Sequence, residues 1–171
     1  MLGLLLPVLK QEWGLSVFEQ SMIITVVYMG VATGSYLQAY SDTIGRYRFI
    51  TLDAVVQTLF GLLSCVCWNY ESFLLVRFFY GIGIGICLPL SGSYIAEVSP
   101  AYMRATLMAR SRVYWSGGCL TSCILGWFFL ANNSWRWLLF SICLPGIYAL
   151  GEHLLNGKES LRYLWVQGRT E

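Results

Sequence analysis

The stretch QSMIITVVYMGVATGSYLQAYS, residues 20–41, contains no charged residue and is long enough to cross a lipid bilayer. A membrane-spanning helix needs about 20 mostly apolar residues, because the hydrocarbon layer is about 30 Å thick. The whole chain has the same character, since 57% of its 171 residues are hydrophobic and only 12% are charged. A soluble domain carries about 25% charged residues, so the composition indicates an integral membrane protein.

Further uncharged runs follow the first one along the chain. Together the runs cover 20–41, 54–70, 78–96, 113–135 and 137–151. We expect them to be helical, because an open strand would leave backbone groups unpaired in lipid and none of the runs alternates like a barrel strand. Extended to their polar borders, they predict an all-α, polytopic membrane helix bundle. Its five transmembrane helices are expected near 21–41, 49–69, 72–95, 111–131 and 135–155.

The apolar residues MLGLLLPVL, 1–9, come before the first span and are too short to cross the membrane. No cationic start precedes them and no small-residue cleavage site follows them, so a signal peptide is not indicated. We interpret them as the stub of a preceding helix. The chain is then one membrane domain over 1–171, in which 156–171 begins a cytoplasmic linker.

Basic residues are distributed unevenly between the two sides of the predicted bundle. One side receives Arg46, Arg48, Arg104, Arg110, Arg112, Lys158, Arg162 and Arg169, whereas the opposite loops hold only Lys10 and Arg136. Short loops rich in arginine and lysine face the cytoplasm, or the equivalent side of an organelle membrane. These loops are too short and too close to the bilayer to form a nucleic-acid surface, so we expect no nucleic-acid partner.

Arg77 and Asp53 are charged residues that lie within predicted spans. A guanidinium at the centre of a span costs about 3 kcal/mol or more, so Arg77 either faces a polar interior with a partner or extends to the membrane surface. We favour the cavity-facing alternative. Asp53, one turn into its span, is expected to join the charges on the basic side of the bundle.

Glycines spaced four residues apart occur in two of the spans. Gly30 and Gly34 lie in GVATG, and Gly81 and Gly85 lie in GIGIG. Residues four apart share one face of a helix, and small residues there let another membrane helix approach closely. GIGIG is not interpreted as a phosphate-binding loop, because no strand precedes it. We therefore expect both pairs to be helix-packing positions.

The sequence offers no set of residues for catalysis or metal binding. His153 is the single histidine, and the six cysteines all fall inside predicted spans. Cys65 and Cys67 are two residues apart and point in different directions on a helix, which favours a role as small apolar filler. We expect no catalytic residues, no metal and no cofactor, and the chain is not expected to be an enzyme.

Four motifs resemble the N-terminal half of a major facilitator superfamily transporter. They are SDTIGRYR (41–48), RFFYGIGIG (77–85), PLSGSYIAEVSPAYMRA (89–105), and WRWLLFSICLPG (135–146) followed by KESLRYLWVQGR (158–169). In that order they are similar to the loop between helices 2 and 3, helix 4, the junction of helices 4 and 5, and the helix 6 segment of the family. The nearest branch contains sugar porters, organic-ion transporters and synaptic vesicle glycoprotein transporters.

The resemblance implies roles for particular residues. It implies a charge network on the cytoplasmic face that gates transport, made of Asp42, Gly45, Arg46, Arg48, Glu97, Arg104, Glu159 and Arg162. It also implies that Arg77 faces the cavity and takes part in coupling, since the matching arginine of some proton-coupled sugar porters pairs with a helix 1 acid. The motifs depart from the family pattern at Gln38, Thr43, Tyr47, Ala105, Lys158 and Leu161.

The function implied is transmembrane transport of a small organic solute by alternating access, as a secondary transporter or part of one. Sugars, organic cations and carboxylates all stay open as solutes, and a proton or cation as coupling ion. The expected partners are the solute, the lipid bilayer, and the absent C-terminal half or another membrane subunit. The alternative is a non-transporting membrane scaffold or accessory subunit derived from a transporter half. The identity of the membrane is not indicated.

Overall fold

The computed structural model describes residues 2–41, 45–131 and 134–156. Six α-helices make up nearly all of these residues, and the described part of the chain contains no strand. They are α1 (Leu2–Trp13), α2 (Val17–Leu37), α3 (Arg46–Val66), α4 (Tyr70–Val98), α5 (Arg104–Ala131) and α6 (Trp135–Asn156). Helices α2 to α6 are each long and apolar enough to cross a membrane. The prediction of an all-α membrane bundle with five spans and a shorter first helix is confirmed.

The helix ends follow from local sequence. Ser16 caps α2, because its hydroxyl accepts a hydrogen bond from the Glu19 backbone N–H at 3.3 Å while the Glu19 carboxylate accepts from the Ser16 N–H at 2.7 Å. Helix α5 begins at Arg104, well before the expected 111. The expected border marked the edge of the uncharged run, whereas the helix continues into the polar interface, where arginines are tolerated.

Helices α2 and α4 make the most extensive contact in the bundle. A Cβ atom added to Gly34 would lie 2.1 Å from the Ile82 carbonyl oxygen, and one added to Gly85 would lie 2.1 Å from the Val31 oxygen. A Cβ atom added to Gly30 would lie 2.3 Å from the Phe78 carbonyl oxygen, and one added to Gly81 would lie 2.4 Å from the Val27 oxygen. The two backbones therefore touch directly, as small-residue faces of membrane helices allow.

The largest hydrophobic core lies at the end of the bundle where α1 finishes. Trp13, Phe73 and Trp135 pack edge to face there, with ring centroids 5.6 to 6.3 Å apart. Leu5 and Leu9 of α1 are fully buried in the same core. Edge-to-face packing suits the charge distribution of aromatic rings. This core holds α1, which is too short to span a membrane, against the longer helices.

Candidate functional site

Arg77 is the most deeply buried charge among the described residues. It lies on α4 with 2% of its surface exposed, and its guanidinium carbon is 4.7 Å from the Phe73 ring centroid and 5.5 Å from that of Tyr80. Both contacts are cation–π interactions. The Nε and Nη2 atoms find no hydrogen-bond partner among the described residues. A buried guanidinium with free donors is prepared to bind an acceptor group.

A cavity of about 130 Å³ opens beside this guanidinium, between α3, α4 and α6. Its lining is Gln57, Thr58, Gly61, Arg77, Tyr80, Leu139, Ile142, Cys143 and Gly146. The volume suits a few water molecules or a small polar group. The structure thus places Arg77 toward a cavity rather than toward the membrane surface. We call this space the Arg77 cavity.

Gln57 links the Arg77 cavity to a second buried charge. Its side-chain amide donates a hydrogen bond of 2.8 Å to Asp53 Oδ1, and Asp53 is only 4% exposed. The expectation that Asp53 joins the charges on the basic side is wrong. A Cβ atom on Gly83 would lie 3.2 Å from Asp53 Oδ1, so this glycine of α4 leaves the space into which the carboxylate turns.

An ion pair joins the start of α3 to the end of α4. Arg46 Nη2 lies 3.1 Å from Glu97 Oε1, and the two side chains are 16% and 12% exposed. The pair lines an open pocket of about 480 Å³, and Arg104 lines this pocket as well. We refer to Arg46, Glu97 and Arg104 as the inner charge cluster. Arg48 is exposed and does not line this pocket.

Gly45 shapes the approach to the inner charge cluster. Its φ of 111° is a conformation that side chains with a Cβ atom rarely adopt, and it immediately precedes α3. Its N–H donates to the Ser41 carbonyl at 3.0 Å, and its own carbonyl accepts from the Phe49 N–H at 3.2 Å. The other residues expected in the network, Asp42, Glu159 and Arg162, lie outside the described residues.

Two contacts between distant parts of the chain were not anticipated from the sequence. Glu12 accepts hydrogen bonds from the Trp135 indole N–H and from Arg136 Nη1, the latter at 3.2 Å. Tyr47 donates a hydrogen bond of 2.8 Å to the His153 carbonyl, and the two rings are 4.4 Å apart. Neither contact can be read from a short stretch of sequence, because the partners are more than 100 positions apart. No three His, Cys, Asp or Glu side chains among the described residues could hold a metal ion.

Comparison with known proteins gives consistent matches over nearly the whole chain. The sequence pattern of the family described as "Sugar (and other) transporter" matches residues 8–171. Organic cation/carnitine transporter 7 of Arabidopsis thaliana is 33% identical over 164 residues, which are 95% of this chain and 32% of that protein. Synaptic vesicle 2-related protein of Xenopus laevis is 30% identical over 172 residues, which are 99% of this chain and 31% of that protein. The chain thus spans about a third of the length of these curated relatives.

A solved structure shows the same helix arrangement. The major facilitator superfamily proton:xylose symporter XylE of E. coli superposes with a TM-score of 0.81, covering 98% of this chain and 42% of that chain, at 21% identity. At this identity the likeness concerns the fold alone. The family match covers nearly the whole chain, and it leads to one conclusion: the chain belongs to the sugar (and other) transporter family.

Proposed function

We propose that this chain works in secondary transport, moving a small organic solute across a membrane by alternating access. The observation that carries the proposal is the Arg77 guanidinium, which is buried inside a membrane span beside a cavity. Two of its donor nitrogens have no hydrogen-bond partner within the described part of the chain. Charges in such positions are costly and usually serve solute or ion pathways. The family consists of transporters rather than enzymes, and the family match does not favour the scaffold alternative.

The inner charge cluster supports the conformational part of the proposal. The Arg46–Glu97 pair joins two helix ends and is partly shielded from water. Pairs of this kind contribute only about 0–1 kcal/mol when exposed and somewhat more when shielded, so a rocking motion can break and remake them. We infer that Asp42, Arg48, Glu159 and Arg162 act with this cluster, as the family resemblance implies.

The solute is proposed by class only. Relatives are named for organic cations and carnitine, and the structural neighbour for xylose with a proton. Guanidinium donors in the Arg77 cavity favour a hydrogen-bond acceptor or an anionic group over a bare cation. A sugar hydroxyl or a carboxylate therefore fits this cavity better than a quaternary ammonium group. Coupling to a proton is part of the proposal.

The test is to extract the chain in native lipid, identify co-purifying subunits by mass spectrometry, and reconstitute the assembly into vesicles with a pH gradient. Uptake of labelled xylose, carnitine, tetraethylammonium and an organic carboxylate is then measured. We expect one class to accumulate. Arg77→Met should lower its initial rate at least about tenfold, since losing about 1.4 kcal/mol of stabilisation has that effect.

The matched control is Arg110→Met, which removes an exposed arginine near the start of α5. We expect its uptake rate to equal that of the unaltered chain. A folded assembly with unrelated subunits and no flux of any solute class would overturn the transport proposal. Equal rates for Arg77→Met and Arg110→Met would overturn the role given to Arg77.

A further inference from the structure

Two cysteines from different helices meet beside the Arg77 cavity. Cys65 lies on α3 and Cys143 on α6, and both are partly accessible. The Cys65 thiol donates to the Gly61 carbonyl at 3.6 Å, and the Cys143 sulfur lies against the same glycine. They are 78 positions apart in the sequence, so only the packing of α3 against α6 brings them together.

Gly61 makes this meeting sterically feasible. A Cβ atom at this position would lie 2.9 Å from Cys143 Sγ, which is closer than real Cβ contacts come. The missing side chain therefore leaves the space that the Cys143 sulfur occupies, directly over the α3 backbone. One turn further along α3, Cys65 presents its own sulfur on the same face, because residues four apart are neighbours on a helix.

The surroundings supply both access and a positive charge. Cys143 lines the same cavity as Arg77, so a small molecule that enters the cavity reaches the thiol. The Arg77 guanidinium supplies the positive charge of this cavity. A thiolate, not a thiol, attacks oxidants, and a nearby arginine stabilises the thiolate form. Reactive cysteines differ from inert structural ones in having this combination of partial access and positive charge.

We propose that Cys65 and Cys143 form a redox-sensitive dithiol, which a peroxide converts into a disulfide joining α3 to α6. The Cys143 thiolate attacks one peroxide oxygen, the O–O bond breaks and a sulfenic acid forms, while the hydroxide that leaves takes up the proton lost by the thiol and becomes water. The Cys65 sulfur then attacks the sulfenic sulfur, so that an S–S bond forms, the S–O bond breaks and a second water leaves. In sum, two thiols and one hydrogen peroxide give one disulfide and two waters, with two electrons passing from sulfur to oxygen.

The disulfide would fix two of the three helices that line the Arg77 cavity. Helices α3 and α6 contribute Gln57, Thr58 and Gly61 on one side and Leu139, Ile142 and Cys143 on the other. A covalent link at Cys143 prevents these walls from separating. Oxidation therefore fixes the distance between α3 and α6 at the cavity, and reduction of the disulfide lets the two helices move apart again.

The test uses the purified full chain in lipid nanodiscs, treated with hydrogen peroxide and then with N-ethylmaleimide to block free thiols. Digestion without reduction and mass spectrometry identify the linked peptides. We expect a Cys65–Cys143 peptide that disappears with dithiothreitol and is absent from the Cys65→Ser and Cys143→Ser variants. A chain carrying Cys119→Ser and Cys123→Ser serves as background, since those two thiols are exposed.

The matched control is Cys67→Ser, which removes a buried thiol two positions from Cys65 and should leave the yield of the linked peptide unchanged. Arg77→Met should slow its formation about tenfold, because the thiolate loses its stabilising charge. Recovery of all cysteines as maleimide adducts would overturn the proposal. So would over-oxidation of Cys143 without any linked peptide. Neither result depends on transport or on a variant folding.

Discussion

Gly34 and Gly85 each face a carbonyl oxygen of the opposing helix, and the chain has no room there for even one additional carbon. Gly118 on α5 has the opposite surroundings, since no atom lies within 4 Å of the place its Cβ would occupy. All three glycines are in helices, so their backbone preferences are the same and their neighbours make the difference. Position along a helix therefore matters less than the face on which the glycine lies.

Replacing Gly34 by alanine should destabilise the bundle by about 1–3 kcal/mol, because the added carbon forces α2 and α4 apart. Gly118→Ala should instead stabilise it by up to about 1 kcal/mol, since alanine is the better helix former. Unfolding followed by circular dichroism in detergent micelles measures both changes. Shifts of the same sign for the two variants would contradict the packing described for α2 and α4.

At the scale of helices, Arg46 and Glu97 connect the first turn of α3 with the last turn of α4. A double-mutant cycle with Arg46→Gln and Glu97→Gln should show a coupling of about 0.5–2 kcal/mol in the free energy of unfolding. The pair is more shielded than an ordinary surface pair, so the expected coupling extends above the 0–1 kcal/mol of exposed pairs.

Arg48→Gln provides the control for that cycle, because Arg48 carries the same charge two positions away but is exposed. Combined with Glu97→Gln, it should give additive changes within about 0.3 kcal/mol. A coupling of equal size for Arg46 and Arg48 would show that Glu97 responds to the general positive charge of the loop and not to a specific partner.

The spans were predictable from the sequence because hydropathy is a local property of about 20 consecutive residues. The orientation of Arg77 toward a cavity was also expected, since a buried charge in lipid needs a polar environment. The partners of Asp53, Glu12 and Cys143 were not predictable. They depend on how each helix is rotated about its own axis, and only the packing of several helices decides that rotation.

For the whole molecule, five spans place the loop before α4 and the loop before α5 on opposite sides of the membrane. In a chain without native cysteines, Asn69→Cys should react with an impermeant maleimide in intact cells. Tyr102→Cys should react only after permeabilisation, because we expect the basic loops to face the cytoplasm. Both positions are exposed. Reaction of both in intact cells would contradict the five-span arrangement, and the reverse pattern would contradict the orientation.

Helix α5 packs against its neighbours far less than α4 does, and Trp115, Trp127 and Phe128 on it are all exposed. The two helices should therefore differ in how many amino-acid substitutions they tolerate. At the exposed positions of α5, one apolar residue can replace another without a clash, so apolar substitutions there should survive selection for a folded protein. Along α4, where glycine faces backbone and arginine faces a cavity, few should survive. The exposed face of α5 can therefore change during evolution to suit a new lipid or protein neighbour. The fold is kept during such changes because the contacts of α4 hold the bundle together.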